Sequence, residues 1–228
     1  MLFLLITLLL LATFIVIGLR MNEVDWDHLW VNVFDGWIRV FARRYHRLHG
    51  DKISLPESGG LLLISNHLSG LDPLLLIAAS KRPLRFLIAE EEYNRFGLTW
   101  IFRAAGCIPV DRGGRTDAAF RAAVRALKNG EVVALFPHGR IHPDHEGEAR
   151  IKPGALRLAT LAQVPIYSAR LSGVAGVGQV IASVFKRSHA HIQGLAVLDW
   201  QQAHGPDLRQ QVGELLLGRR QKLEIPEN

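Results

Sequence analysis

The chain contains a single cysteine, Cys107, so an intrachain disulfide framework and a multi-cysteine zinc or iron–sulfur site are both excluded. It has no G-x-S-x-G elbow, which removes the usual signature of a serine hydrolase of the α/β type. It has no H-E-x-x-H pair, no internal repeat and no low-complexity tract. Its basic residues are dispersed and match no nucleic-acid recognition motif, so no nucleic acid is expected as a partner. What is present is 228 residues with a 49% hydrophobic fraction, ample for one core without staples and too polar for a polytopic membrane protein. Against 21 acidic residues stand 27 Lys and Arg, a net charge of +6 that favours anionic partners without choosing among them.

Charge is missing locally as well. Between Leu2 and Leu19 no residue is charged, and only Thr7, Thr13 and Gly18 interrupt the apolar run. As a helix these 18 residues extend about 27 Å, the lower end of what crosses a bilayer. A cleaved signal peptide would need a basic start and a small-x-small site, whereas Arg20, Met21, Asn22 and Glu23 follow the run. An uncleaved anchor or a helix deep in one leaflet is therefore expected. Arg20, Arg39, Arg43, Arg44 and Arg47 come after it and place the main domain on the cytoplasmic face if the helix spans. From Trp26 to Leu48, Leu29, Trp30, Val33, Phe34, Trp37, Ile38, Phe41 and Tyr45 recur at helical spacing. That stripe fits a helix in the headgroup plane and equally one docked on the domain's own core.

Beyond Gly50 the pattern alternates between short apolar runs and helical segments. Strands are expected at Gly60–His67, Leu84–Glu90, Glu131–Gly139, Pro165–Leu171 and Ala190–Leu198, with Gly106–Arg112 a short segment closed by Gly113-Gly114. Helices are expected at Asp72–Ala79, with Asp72 as N-cap, and at Thr116–Gly130, Gly154–Ala162 and Pro206–Arg219. The fold class is α/β, a mostly parallel sheet flanked by helices, with an N-terminal membrane-anchoring helical segment. Residues 1–49 would form the anchor and interfacial helix, and residues 50–228 the α/β domain.

Polar clusters stand where the strands end, the place at which chemistry gathers in open α/β sheets. In "SNHLSGLD", His67 follows a strand and Asp72 opens a helix. A carboxylate one turn on can hold the far nitrogen of the imidazole, fixing its tautomer while the other nitrogen takes a proton from an alcohol. Taken alone, H-x4-D is common by chance and describes a surface His beside an N-cap Asp equally well. In "GCIPVDRGG", Arg112 stands beside two glycines and suits a phosphate. "LFPHGR" places His138, Gly139 and Arg140 after another strand. "IKPGA" puts Lys152 before a helix, and "VPIYSARLSG" contains Pro165.

Together these blocks resemble the glycerophospholipid acyltransferases, typified by lysophosphatidic acid acyltransferase. "NHLSGLD" matches the family's H-x4-D block, "GCIPVDR" resembles its second, "FPHGR" stands in the place of its Phe-Pro-Glu-Gly-Thr block, and "VPI" is similar to its fourth. "KPG" between them is similar to a further family segment. The resemblance runs from Leu61 to about Gly173. It implies a membrane enzyme of phospholipid biosynthesis that passes a fatty acyl group from acyl-CoA or acyl carrier protein to a hydroxyl of a glycerol phosphate or lysophospholipid. His67 would be the general base and Asp72 its orienter. The implied substrate-binding set is Arg112, His138, Gly139, Arg140, Lys152 and Pro165, with neither cofactor nor metal. His138 and Arg140 replace the family's Glu and Thr, which implies a non-standard acceptor.

Other readings have their own residues. His138, His142 and His145, with Asp144 and Glu146, offer metal-ligand chemistry on a loop. A noncatalytic lipid-binding module would use the same amino terminus and basic surface without needing His67 and Asp72. Cys107 is expected to be buried and inert.

Overall fold

The computed structural model describes residues 1–51, 53–111, 113–114, 116–144, 147–203 and 207–223. The chain forms α1 (Leu2–Met21), α2 (Leu29–Val40), a π-helical turn (Phe41–Tyr45), β1 (His49–Gly50), β2 (Leu61–Ser65) and α3 (Asp72–Ala79). It continues through β3 (Leu84–Ala89), α4 (Glu90–Tyr93), α5 (Thr99–Ala104), β4 (Ile108–Val110), α6 (Asp117–Lys128) and β5 (Val132–Leu135). The last part comprises α7 (Gly154–Ala162), β6 (Ile166–Ser172), α8 (Ala182–Phe185), β7 (His191–Leu198), a short 3-10 turn (Trp200–Gln202) and α9 (Leu208–Leu216).

The strands make one sheet in the order β1-β7-β6-β2-β5-β3-β4. Every pairing is parallel except β6 with β7. The expected α/β class with a mostly parallel sheet is what forms. β2 explains why its five residues are all apolar up to Ser65: each is buried, and successive side chains point to opposite faces. Leu62 and Ile64 join the core beneath α6, α7 and α9, and Leu61 and Leu63 join the core beneath α3. Burial on both faces leaves no solvent-facing position for a polar residue until the strand ends. The short helices α4, α5 and α8 and the two-residue strand β1 carry too little periodicity to be read from sequence.

α1 and α2 form an antiparallel hairpin. Gly18 lies against Val33, and a Cβ on Gly36 would meet the Gly18 carbonyl oxygen at 1.8 Å, so both glycines permit the close approach of the backbones. Phe14 stacks on Trp37 with ring centroids 5.1 Å apart, and the Trp37 indole N–H donates to the Phe14 carbonyl at 3.0 Å. α1 is long and apolar enough to cross a membrane and is almost wholly exposed in the protein.

α2 docks on the domain by a face that differs from the apolar stripe. Val31, Val33, Asp35, Gly36 and Arg39 are its buried residues, whereas Leu29 and Trp30 are exposed. Arg39 is 1% exposed, pairs with Asp35, and donates to the carbonyls of Ala78 (3.3 Å) and Ser80 (3.0 Å) at the end of α3. A buried cation at a helix C-terminus satisfies carbonyls that have no intrahelical partner. Arg43 pairs with Glu23. Of the five arginines grouped above as a cytoplasmic signal, Arg39 and Arg43 are thus held by the protein itself.

Candidate active site

β2 and β5 are parallel neighbours, so the loops leaving their carboxyl ends meet. Directly after β2, the Asn66 side chain replaces a rung of the ladder to β6. Its amide donates to the Leu171 carbonyl and its oxygen accepts from the Leu171 N–H, both at 2.8 Å. His67 comes next, 17% exposed at the side chain, while Asp72 is fully buried. His67 Nδ1 lies 2.8 Å from Asp72 Oδ2.

The same carboxylate also accepts from the main-chain N–H groups of Leu68 and Ser69, and from the Ser69 hydroxyl at 3.2 Å. Asp72 is therefore the first residue of α3, and Leu71 holds the N-cap position. This corrects the expectation that Asp72 caps the helix. Its oxygens turn back onto the preceding loop instead and wrap it around the imidazole. A buried carboxylate with several donors is held in one orientation, and it keeps Nδ1 of His67 as a donor.

The outer edge of the imidazole is free for chemistry. The His67 ring lies flat on the Phe136 ring at the end of β5, with centroids 4.0 Å apart and planes at 10°. Among the described residues Nε2 has no hydrogen-bond partner. The His67 carbonyl accepts from the His142 N–H at 2.7 Å, which straps the loop after β5 to the loop after β2. The arrangement can accept a proton at Nε2 and carry the resulting imidazolium charge against the carboxylate.

The other sequence-predicted residues divide. Gly139 adopts a left-handed backbone (φ +75°), and its missing side chain leaves room for Lys152, whose Nζ stands 2.6 Å from where a Cβ would be. The Lys152 N–H donates to the Pro137 carbonyl at 3.0 Å, so this cation is brought to the His67 end of the sheet. Arg140 is exposed beside a hollow lined by Ile141, His142, Pro143 and Gly147. Arg112 lies outside the described residues.

His138 and Pro165 stand elsewhere. His138 is 7% exposed and turns inward: its Nε2 lies 2.9 Å from the Ala149 carbonyl, and its ring packs on His142 with centroids 4.7 Å apart. Burial pushes its pKa below the usual imidazole value, with the nearby His142 and Arg219 adding to the effect. His138 is thus turned inward beneath the loop, held by the Ala149 carbonyl. Pro165 precedes β6 and accepts from the Leu62 N–H at 3.0 Å, at the amino end of the sheet. The parallel register places it a strand's length away from His67.

Both ring nitrogens of His142 face main-chain carbonyls, those of Pro143 and Glu148, at 3.0 Å. His145 and Glu146, part of the histidine cluster singled out in the sequence, lie outside the described residues. Among the described residues no group of three or more His, Cys, Asp or Glu side chains converges on one point. Burial pushes the Cys107 thiol up to about 11, in keeping with an inert role. Asn66, Phe136 and His142 escaped the sequence reading as site-building residues. The only local signal was their place beside His67 and within the "FPHGRIH" block.

A parallel sheet thus carries a His–Asp pair at its carboxyl edge. Residues 47–172 match the family described as Acyltransferase, more than half of the chain. The chain belongs to that family, and it is of the lysophosphatidic acid acyltransferase-like kind. It is 34% identical over 124 residues to a probable 1-acyl-sn-glycerol-3-phosphate acyltransferase of Mycoplasma genitalium, covering 51% of this chain and 45% of that protein. It is 31% identical over 123 residues to an N-acylphosphatidylethanolamine synthase of Arabidopsis thaliana, covering 50% and 43%. The chain thus spans about half the length of these curated relatives. Its fold is similar to the crystal structure of the 1-acyl-sn-glycerophosphate (LPA) acyltransferase PlsC from Thermotoga maritima. The TM-score is 0.61 at 19% identity, over 82% of this chain and 79% of that one.

Proposed function

We propose that the protein is a membrane-associated acyltransferase that moves a fatty acyl group from a thioester donor to a hydroxyl of a glycerol phosphate or lysophospholipid. The observation that carries this reading is His67, oriented by buried Asp72 and with Nε2 unpartnered among the described residues. Nε2 takes the proton of the acceptor hydroxyl as its oxygen attacks the thioester carbonyl. That attack forms the new C–O bond and a tetrahedral oxyanion; its collapse re-forms the carbonyl, breaks the C–S bond, and returns the proton from the imidazolium to the departing thiolate. Asp72 stabilises that imidazolium and keeps the ring in register. No acyl-enzyme is needed, because the substrate supplies the nucleophile.

Lys152 and Arg140, with Arg112, supply cations for the acceptor phosphate, and Gly139 lets Lys152 approach. Arg140, in place of the family's usual Thr, is the exposed departure that can alter the head group accepted. The names of the relatives above span a lysophosphatidate acceptor and a phosphatidylethanolamine-related one, which supports a family site open to such change. The exposed apolar α1 provides the membrane attachment that a lipid acceptor calls for. Arg20 and Arg44 beyond it favour a cytoplasmic catalytic domain.

The test is acyl transfer by the purified full chain from acyl-CoA and from acyl carrier protein to a panel of lysolipids and glycerol 3-phosphate. Transfer by wild type and its loss in His67→Ala are expected, with vesicle association kept. Absence of transfer to every acceptor, with no lysolipid accumulating in cells lacking the gene, would leave a lipid-binding module as the better reading.

A further inference from the structure

The segment between β6 and β7 is an unusual piece of surface. Val180, Ile181 and Phe185 are 46%, 58% and 72% exposed, although each is large and apolar. Their exposure is imposed by the backbone. The Tyr45 hydroxyl donates to the Phe185 carbonyl at 2.6 Å, His46 Nε2 lies 3.1 Å from the Val184 carbonyl, and His46 Nδ1 lies 3.2 Å from the Ser188 hydroxyl. That hydroxyl also accepts from the Ala175 N–H at 2.9 Å. His46, Ser183 and Ser188 are themselves buried, so the segment is tied down by polar groups while its apolar side chains face outward. An apolar loop with a polar underside is the reverse of what folding alone selects.

The two stretches that meet here carry one sign of charge. Neither residues 36–50 nor residues 173–198 contain an Asp or Glu. Exposed Arg44 and Arg47 flank Tyr45, and exposed Lys186 and Arg187 follow Phe185. The Arg187 guanidinium lies 5.9 Å from the Tyr45 ring centroid, and Arg47 reaches His189 at 3.1 Å. The two stretches therefore form one continuous surface of apolar tips ringed by cations.

This surface adjoins both the catalytic loop and the hairpin. The Gly178 N–H donates to the Leu68 carbonyl at 2.8 Å, and the Gly70 N–H to the Gln179 carbonyl at 3.0 Å, on either side of the turn that begins at His67. Because α1 runs antiparallel to α2 with Phe14 beside Trp37, the exposed start of α1 extends beyond the carboxyl end of α2, where Tyr45 lies.

We infer that Val180, Ile181 and Phe185, with Arg44, Arg47, Lys186 and Arg187, form a docking surface for an anionic lipid bilayer, separate from the α1 anchor. The apolar tips enter the headgroup region while the cations meet lipid phosphates. Contact here sets the mouth beside His67 against the surface that holds the acceptor. The inference rests on the membrane-associated reading above, yet its test needs no catalysis.

An environment-sensitive fluorophore is attached to the full chain at Ile181→Cys, and in a second preparation at Asn129→Cys. Asn129 is exposed at the opposite end of the sheet, and both preparations carry Cys107→Ala so that only the introduced thiol is labelled. Vesicles of phosphatidylcholine with and without about 30% phosphatidylglycerol are then added, and flotation is scored in parallel. A blue shift at position 181 but not at 129, larger on anionic vesicles and reduced by salt, is expected. Lys186→Gln with Arg187→Gln should weaken partitioning to anionic vesicles roughly 5-fold per cation. A chain that floats with no shift at position 181 overturns the docking surface and leaves the anchored acyltransferase reading intact. A chain that does not float overturns both the surface and the membrane association, whatever its activity in solution.

Discussion

His67 and Phe136 stack ring on ring, 4.0 Å between centroids, although they stand 69 residues apart and leave different strands. The stack is set by the parallel pairing of β2 with β5 and defines the plane of the imidazole. Asp72 alone fixes one atom of the ring, and Phe136 removes the remaining freedom to rotate. Phe136→Ala is expected to lower kcat about 10-fold through looser positioning of the base. KM for the acyl donor should change little, and Phe136→Tyr should restore the rate. Steady-state kinetics on these variants check the split.

His67→Ala should lower kcat by about 100- to 10,000-fold, the usual contribution of a positioned acid–base group. Asp72→Asn keeps an oxygen for the loop N–H groups, so it should remain folded and lose activity through orientation and imidazolium stabilisation. Asp72→Ala should also lower the melting temperature, because each buried donor left unpaired costs about 1–3 kcal/mol. Kinetics and thermal melts on the three variants separate these effects.

Gly139→Ala forces a side chain into left-handed backbone, a cost of roughly 1–2 kcal/mol, and drives Lys152 from its place. The expected result is a raised KM for the phosphate-bearing acceptor, with a smaller effect on the donor. A variant that left acceptor KM unchanged would remove Lys152 from the binding set.

Stability should depend on pH through His46 and His138. Burial lowers both below the ordinary imidazole value of 6.5. The unfolded chain therefore takes up protons first as pH falls, and the native state is favoured only while these rings stay neutral. Their contribution is complete above about pH 6.5, and it is lost as pH falls toward the lower folded values. Melting temperature measured between about pH 8 and pH 5 should decline at the acid end. His138→Gln keeps a donor for the Ala149 carbonyl and should flatten that decline.

Gly36→Leu should part α1 from α2, since even a Cβ there collides with the Gly18 carbonyl. Trypsin is then expected to cut after exposed Arg20 sooner than in wild type, while the α/β domain melts as before. Unchanged cleavage would mean that the hairpin does not rely on this contact.

The amino-acid sequence by itself determined the elements that have long local patterns. The apolar run of β2 can only be a buried segment, Asp72-Pro73 starts a helix in the right place, and α6, α7 and α9 show their buried faces in the spacing of Ala and Leu. It also determined that His67 and Asp72 share a turn, because a separation of five residues is local chemistry.

Tertiary structure decided what depends on residues distant in the chain. Arg39 reads as one of the cations that follow the apolar run, but the end of α3 offers unpaired carbonyls and takes it inside, paired with Asp35. His138 reads as a substrate contact, yet the Ala149 carbonyl draws its ring under the loop. Pro165 reads as part of a motif, and the parallel register of β6 with β2 carries it to the far edge. Periodicity records which residues face inward; it does not record which strand ends meet, because that depends on sheet order. Only the pairing of β2, β5 and β6 brings Phe136, His142 and Asn66 around the same histidine.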